Sequence, residues 1–258
     1  MEPTTILNII LSLTVLLFLI LVTVRLFKKM KETKLANLKW LIVFFLSQSL
    51  IGFTKMAGFD LGFYLIEAIA FLSLELFTKE TFYKDQQSAF KPIFVLSVIL
   101  SIAALTLNTI ASVATNAGLP DHYDSYHLMD LYMLSLLGIM SSLWYASASF
   151  AAYNQTKEED IDVNIKKRYK VLGITALFLA LQGACLTLFG NIAVPLTAEY
   201  NQGFFTIINV SYSLVFAFGN FYSWILLGKK IEKSREIASS EDEISEEEMM
   251  KMIKEGTK

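Results

Sequence analysis

Residues 62–77 read GFYLIEAIAFLSLELF. The run is apolar enough to cross a membrane, yet it carries two carboxylates, Glu67 and Glu75. It has no alternation of apolar and polar positions, so it is a helix rather than a strand of a membrane barrel. Six further blocks of the same kind can be drawn. Together the seven cover 5–27, 40–59, 61–78, 92–115, 128–153, 170–194 and 204–228. Each has the length that spans about 30 Å of hydrocarbon as a helix. The whole chain has 258 residues, of which 54% are hydrophobic and only 18% charged, too little charge for a soluble domain of this length. The expected fold is therefore all-α: a polytopic bundle of seven transmembrane helices over 1–228, followed by a charged tail over 229–258.

The net charge of −2 conceals an asymmetry. Basic residues fall in four groups, at 25–39, 79–91, 157–170 and beyond 228, which occupy alternate connections and the tail. All four can share one side of a bilayer, and only Lys55 is left near the other. The positive-inside rule then puts the amino terminus outside and the tail in the cytoplasm of a cell-membrane protein. The first block follows MEPTTILN, which lacks a basic leader, and precedes RLFKKMK, which lacks small residues for cleavage. It reads as a retained helix rather than a signal peptide. Cys185 is the single cysteine, so no internal disulfide can form. A glycosylation sequon at Asn154 falls on the cytoplasmic side, where it would go unused.

The link between the second and third blocks, KMAGFDLGF, is short enough to force a tight antiparallel hairpin. Lys55 then sits about one helical turn below the outer surface and Glu67 about two turns below it on the facing helix. Charges within a bilayer usually pair or face a cavity. Lys55 and Glu67 are expected to pair; the alternative is a protonated Glu67 that donates a hydrogen bond. Glu75 lies four residues before Lys79 and close to the inner surface, placed to reach headgroups or to pair with that lysine.

Polar groups recur at helical spacing in other blocks. Gln48, Gly52 and Lys55 share a face of the second helix, and Ser97, Ser101 and Asn108 share one of the fourth. The sixth pairs Thr175 with Gln182, and the seventh aligns Asn209, Ser213, Asn220 and Ser223. Such stripes serve close packing. They can equally line a polar cavity, for which the candidates are Gln48, Lys55, Glu67, Asn108, Gln182 and Asn209. A glutamine near a glycine occurs in both the second and sixth helices, which suggests parallel halves of the kind some transporters use.

Both histidines are expected in one outer loop, GLPDHYDSYHLMD, 118–130, where Asp124, His127 and Asp130 follow at i+3 steps of a nascent helix. These are weak candidates for a divalent cation; helix capping by an aspartate and an interfacial tyrosine belt account for the same residues. In the tail, basic KKIEKSREI would sit against anionic headgroups. The acidic segment after it holds a capping box, Ser245 to Glu248, ahead of Met249, Met252 and Ile253, a short helix for a cytoplasmic protein partner or simply a solvated tail.

No HExxH, GxSxG or paired cysteines occur, and the helices offer no histidine for haem. The amino-out, seven-helix topology resembles that of the retinal proteins, but those attach retinal to a lysine of the last helix. Here no lysine lies between Lys170 and Lys229, so the resemblance implies no retinal and stops at topology. No cofactor and no nucleic-acid partner are expected; the lipid bilayer is. The favoured function is a receptor-like sensor, with an intramembrane or outer ligand site and a tail that meets a partner. A small transporter or channel is the alternative, and a lipid-modifying enzyme comes third, since Glu67 has no evident second catalytic group beside it.

Overall fold

A computed structural model describes residues 3–56, 60–83, 90–118, 120–158, 162–192 and 198–234. They form seven α-helices: α1 (Pro3–Thr33), α2 (Leu38–Met56), α3 (Asp60–Phe82), α4 (Phe90–Asn116), α5 (Pro120–Glu158), α6 (Val163–Ile192) and α7 (Ala198–Phe221). A π-helical turn, Tyr222–Leu226, extends α7, and the helical course continues to residue 234. No strand occurs among the described residues. Among the described residues five helical stretches are long and apolar enough to cross a membrane: Ile6–Thr33, Leu61–Phe82, Phe90–Ala114, Leu128–Thr156 and Ile207–Ser234.

Several helices outrun the apolar blocks that announce them. Pro120 opens α5 eight residues before the apolar block at 128, because proline at a first helical position gives up an N–H that would be unpaired anyway. Most of the stretch 118–130, expected as a loop, is therefore the first turns of α5. Asp162 starts α6 among basic residues: its carboxylate accepts the Asn164 backbone N–H at 2.7 Å. At the end of α1, Lys34 takes a left-handed φ of 54° while its N–H bonds Met30 O at 2.9 Å.

The helices pack as a ring in chain order, and α1 closes it against α7. The centre is filled because α3 also packs on α5. Inward positions are dense with aromatic and aliphatic side chains: Phe44, Phe45, Leu74, Leu137, Tyr145 and Val22 are fully buried. Outward positions are equally apolar. Leu13, Val24, Ile99, Ile102 and Val113 are each more than half exposed. A surface this apolar suits hydrocarbon and would aggregate in water.

The basic groups meet at one end of the ring. Arg25 hydrogen-bonds Glu232, Lys29 Nζ lies 3.7 Å from the same carboxylate, and Arg168 stacks 3.6 Å from the Trp224 ring. At this end Trp40 Nε1 also donates to Glu80 at 2.9 Å, and Asn37 to Thr81 at 2.9 Å, tying α2 to α3.

Candidate intramembrane site

A cavity of about 190 Å3 lies inside the ring, away from the basic end. Its walls are mainly apolar, from Val15, Leu19, Phe63, Phe71, Leu134 and Phe216. Into them are set polar side chains from five helices: Gln48 of α2, Glu67 of α3, Ser135 of α5, Gln182 of α6, and Asn209 and Ser213 of α7. The polar stripes read along α2, α6 and α7 thus turn members to a shared space, whereas that of α4 does not. The Ser213 hydroxyl donates to Gln182 Oε1 at 3.1 Å and lies 3.3 Å from Asn209 O, which links α6 to α7. Asn209 Oδ1 is buried and accepts no hydrogen bond within the protein. Gly138, also lining the cavity, lets α5 come close to α3: a Cβ there would stand 2.9 Å from the Phe71 ring.

Four of the six residues singled out by spacing therefore converge: Gln48, Glu67, Gln182 and Asn209. The Lys55 side chain lies outside the described residues, so its expected pairing with Glu67 does too. Asn108 goes elsewhere. Its Nδ2 donates to Asp130 Oδ2 at 3.2 Å, and the Tyr64 hydroxyl donates to Asp130 Oδ1 at 2.6 Å. Asp130 is fully buried between α3, α4 and α5, which makes it a bundle-core acceptor rather than a member of a surface cluster. The side chains of Asp124 and His127 lie outside the described residues, as does the tail helix expected at 245–253. Among the described residues no three His, Cys, Asp or Glu side chains gather as a metal site would require.

Glu75 corrects its expectation. It has 0% exposure, and its Oε1 meets Ser97 Oγ of α4 at 2.5 Å and Ser141 Oγ of α5 at 2.6 Å. Lys79 reaches away from it, over the Phe90 ring at 4.8 Å. The reason lies in the packing: α3 is enclosed by α2, α4 and α5, so the face bearing Glu75 has no route to headgroups. Sequence reading placed Ser97 in the α4 stripe without joining it to Glu75, and it missed Ser141, because a serine within a helix ordinarily bonds its own i−4 carbonyl and signals little.

A second cavity, of about 220 Å3, opens among the basic-end side chains. Lys29, Asn37, Thr81, Arg168, Tyr169 and Glu232 give it a polar wall, with Phe77, Leu172 and Trp224 beneath. On their helices Leu41, Phe44, Phe45, Leu74, Ala176 and Asn220 lie between the residues that line the two cavities, and all are buried. The Phe216 ring lies 5.8 Å from that of Phe44 and 6.0 Å from that of Phe45, so a continuous aromatic contact closes the floor of the inner cavity. Compared with known protein families, curated proteins and solved structures, the chain matches none.

Proposed function

We propose that the chain is a receptor-like sensor of the cell membrane, a seven-span protein with its amino end outside and its tail in the cytoplasm. The observation that carries this reading is the convergence of Glu67, Gln48, Gln182, Asn209 and Ser213 on one mainly apolar cavity of about 190 Å3. A carboxylate, three amides and a hydroxyl set in an apolar wall suit a small ligand with a polar or cationic head and an apolar body. At about 30 Å3 per water, the space takes roughly six waters or a small organic molecule. The buried layer below it supports sensing over conduction. A ligand held above that layer acts by shifting α6 against α7, and both helices continue to the basic-end cavity and the tail, where a cytoplasmic protein would bind. The clustering of basic groups at that end supports the amino-out orientation.

One observation favours the transporter reading. Gln48 and Gln182, the matching residues of the suggested halves, line the same cavity, as substrate-binding residues of paired halves do. Labelling separates the two. In a Cys185→Ala background, Ser135→Cys places a thiol on the cavity wall, to be probed with a small cationic thiol reagent from either side of oriented vesicles. A sensor is labelled from the outer side only. Labelling from both sides, at comparable rates, overturns the sensor and supports alternating access.

A further inference from the structure

Glu75 stands apart from the cavity, and its surroundings raise a question of hydrogens. Three close contacts join Glu75, Ser97, Ser141 and Ile93: Ser97 Oγ to Glu75 Oε1 at 2.5 Å, Ser141 Oγ to the same oxygen at 2.6 Å, and Ser97 Oγ to Ile93 O at 3.0 Å. Each contact needs one hydrogen between its oxygens, and the two serines supply two. A proton on the carboxyl supplies the third: the acid donates to Ser97, Ser97 donates to Ile93 O, and Ser141 donates to the acid.

Short oxygen–oxygen contacts also suit an ionised carboxylate that takes both hydroxyls. Two observations weigh against it. Glu75 Oε2 is buried and accepts no hydrogen bond, and among the described residues no cation pairs with the carboxyl. A charge within a bundle is ordinarily paired or solvated by a cavity. Nor is there room for a metal ion in place of the proton, since oxygens 2.5 and 2.6 Å apart are in direct contact with each other.

The surrounding helices are poor in charge. Between Trp40 and Thr54 on α2, and between Pro92 and Asn116 on α4, the sequence has no ionisable side chain. On α3 itself Glu67 stands about two turns away toward the outer end, and Lys79 about one turn toward the basic end. On α5, the helix that brings Ser141, the nearest ionisable groups are Tyr145 and then Tyr153 toward the basic end, and Tyr132 and Asp130 toward the other. Lys39 and Lys91 begin α2 and α4 at the basic end.

We propose that the Glu75 carboxyl is a proton-binding site inside the bundle, occupied in this conformation and held by Ser97 and Ser141. Its exchange route runs along α5 to the basic end. Ser142, Tyr145 and Ser149 follow at i, i+3 and i+7, and their hydroxyls are buried and make no hydrogen bond of good geometry within the protein. Midway along the row Tyr145 packs on Phe82 at 6.3 Å between ring centroids, and Phe82 lines the basic-end cavity. This assignment does not rest on the sensor reading, since a sensor or a transporter could each hold such a proton.

Infrared difference spectroscopy of the full chain in nanodiscs tests it. Wild type should show a carboxylic-acid carbonyl band that is lost in Glu75→Gln, shifts in Ser141→Ala, and moves on transfer to D2O. Glu75→Gln mimics the protonated acid and should fold with undiminished stability. Tyr145→Phe should keep the band and slow its response to D2O. If Glu75→Gln removes a carboxylate band and no acid band, the residue is ionised and the proposal fails. It also fails if the acid band persists in Glu75→Gln, or if wild type never responds to D2O. An unchanged D2O response in Tyr145→Phe overturns the route along α5.

Discussion

A close approach of α6 and α7 supplies a sharp test of the architecture. A Cβ added at Gly219 of α7 would stand 1.9 Å from Thr175 Cγ2 of α6. Ordinary contact begins at 3.4 Å, so Gly219→Ala must part these atoms by about 1.5 Å. Thr175 is buried and its β-branched side chain has few rotamers, so the helices themselves must give. Overpacking of this kind costs about 1–3 kcal/mol. Against it, alanine gains about 1 kcal/mol over glycine in helix propensity. The net loss is then roughly 0–2 kcal/mol, too broad to interpret alone. A double-mutant cycle with Thr175→Ser resolves it, because that change deletes the methyl and keeps the hydroxyl that donates to Leu172 O at 3.1 Å. Propensity cancels in the cycle and the steric term remains, so the coupling should be about 1–3 kcal/mol in favour of the double mutant. Reversible unfolding in mixed detergent and SDS reads each corner. A coupling under about 0.5 kcal/mol, the ordinary scatter of additivity, would refute the α6–α7 contact as described.

Three further outcomes follow from individual contacts. Tyr64→Phe removes a 2.6 Å hydrogen bond to buried Asp130 and should cost about 1.5–3 kcal/mol in the same unfolding assay. Glu232→Gln breaks the pairs with Arg25 and Lys29, but the carboxylate is 39% exposed, so the loss should stay below about 1 kcal/mol and shrink as salt is added. Trp224→Leu removes the ring under Arg168, at 3.6 Å, and should cost about 0.5–2 kcal/mol beyond what Arg168→Lys in the same background then loses.

The seven blocks were legible as helices because each is a long apolar stretch, although among the described residues five stretches are long and apolar enough to cross a membrane. Their ends were not. Residues 120–127, 163–169 and 229–234 are helical although polar or charged, and hydropathy registers where the chain leaves lipid rather than where the helix stops. Helical spacing was enough to find Gln48, Gln182 and Asn209, since each stripe must turn one side inward. It could not tell that Asn108 turns toward Asp130, which depends on how α4 is rotated against α3 and α5. Glu75 was misplaced for a related reason. Distance from a helix end says how deep a residue lies, whereas the number of neighbouring helices decides whether it can reach the surface. That number is a property of the ring, and no single segment contains it.

The π turn at Tyr222–Leu226 holds one more residue than an α-helix of the same rise would use. One residue corresponds to about 100° of rotation about the axis. Everything beyond it is thus set in phase by that single extra unit, including Ile231, which is buried, and Glu232, which faces Arg25 and Lys29. Deleting one residue within 222–226 would leave the upper part of α7 seated as it is and turn the terminal segment by about a quarter of a circle. Glu232 would leave its two cations. The side of the bundle that Ile231, Glu232 and the helix up to Ser234 face is therefore encoded as a count, independently of the side chains that line the turn.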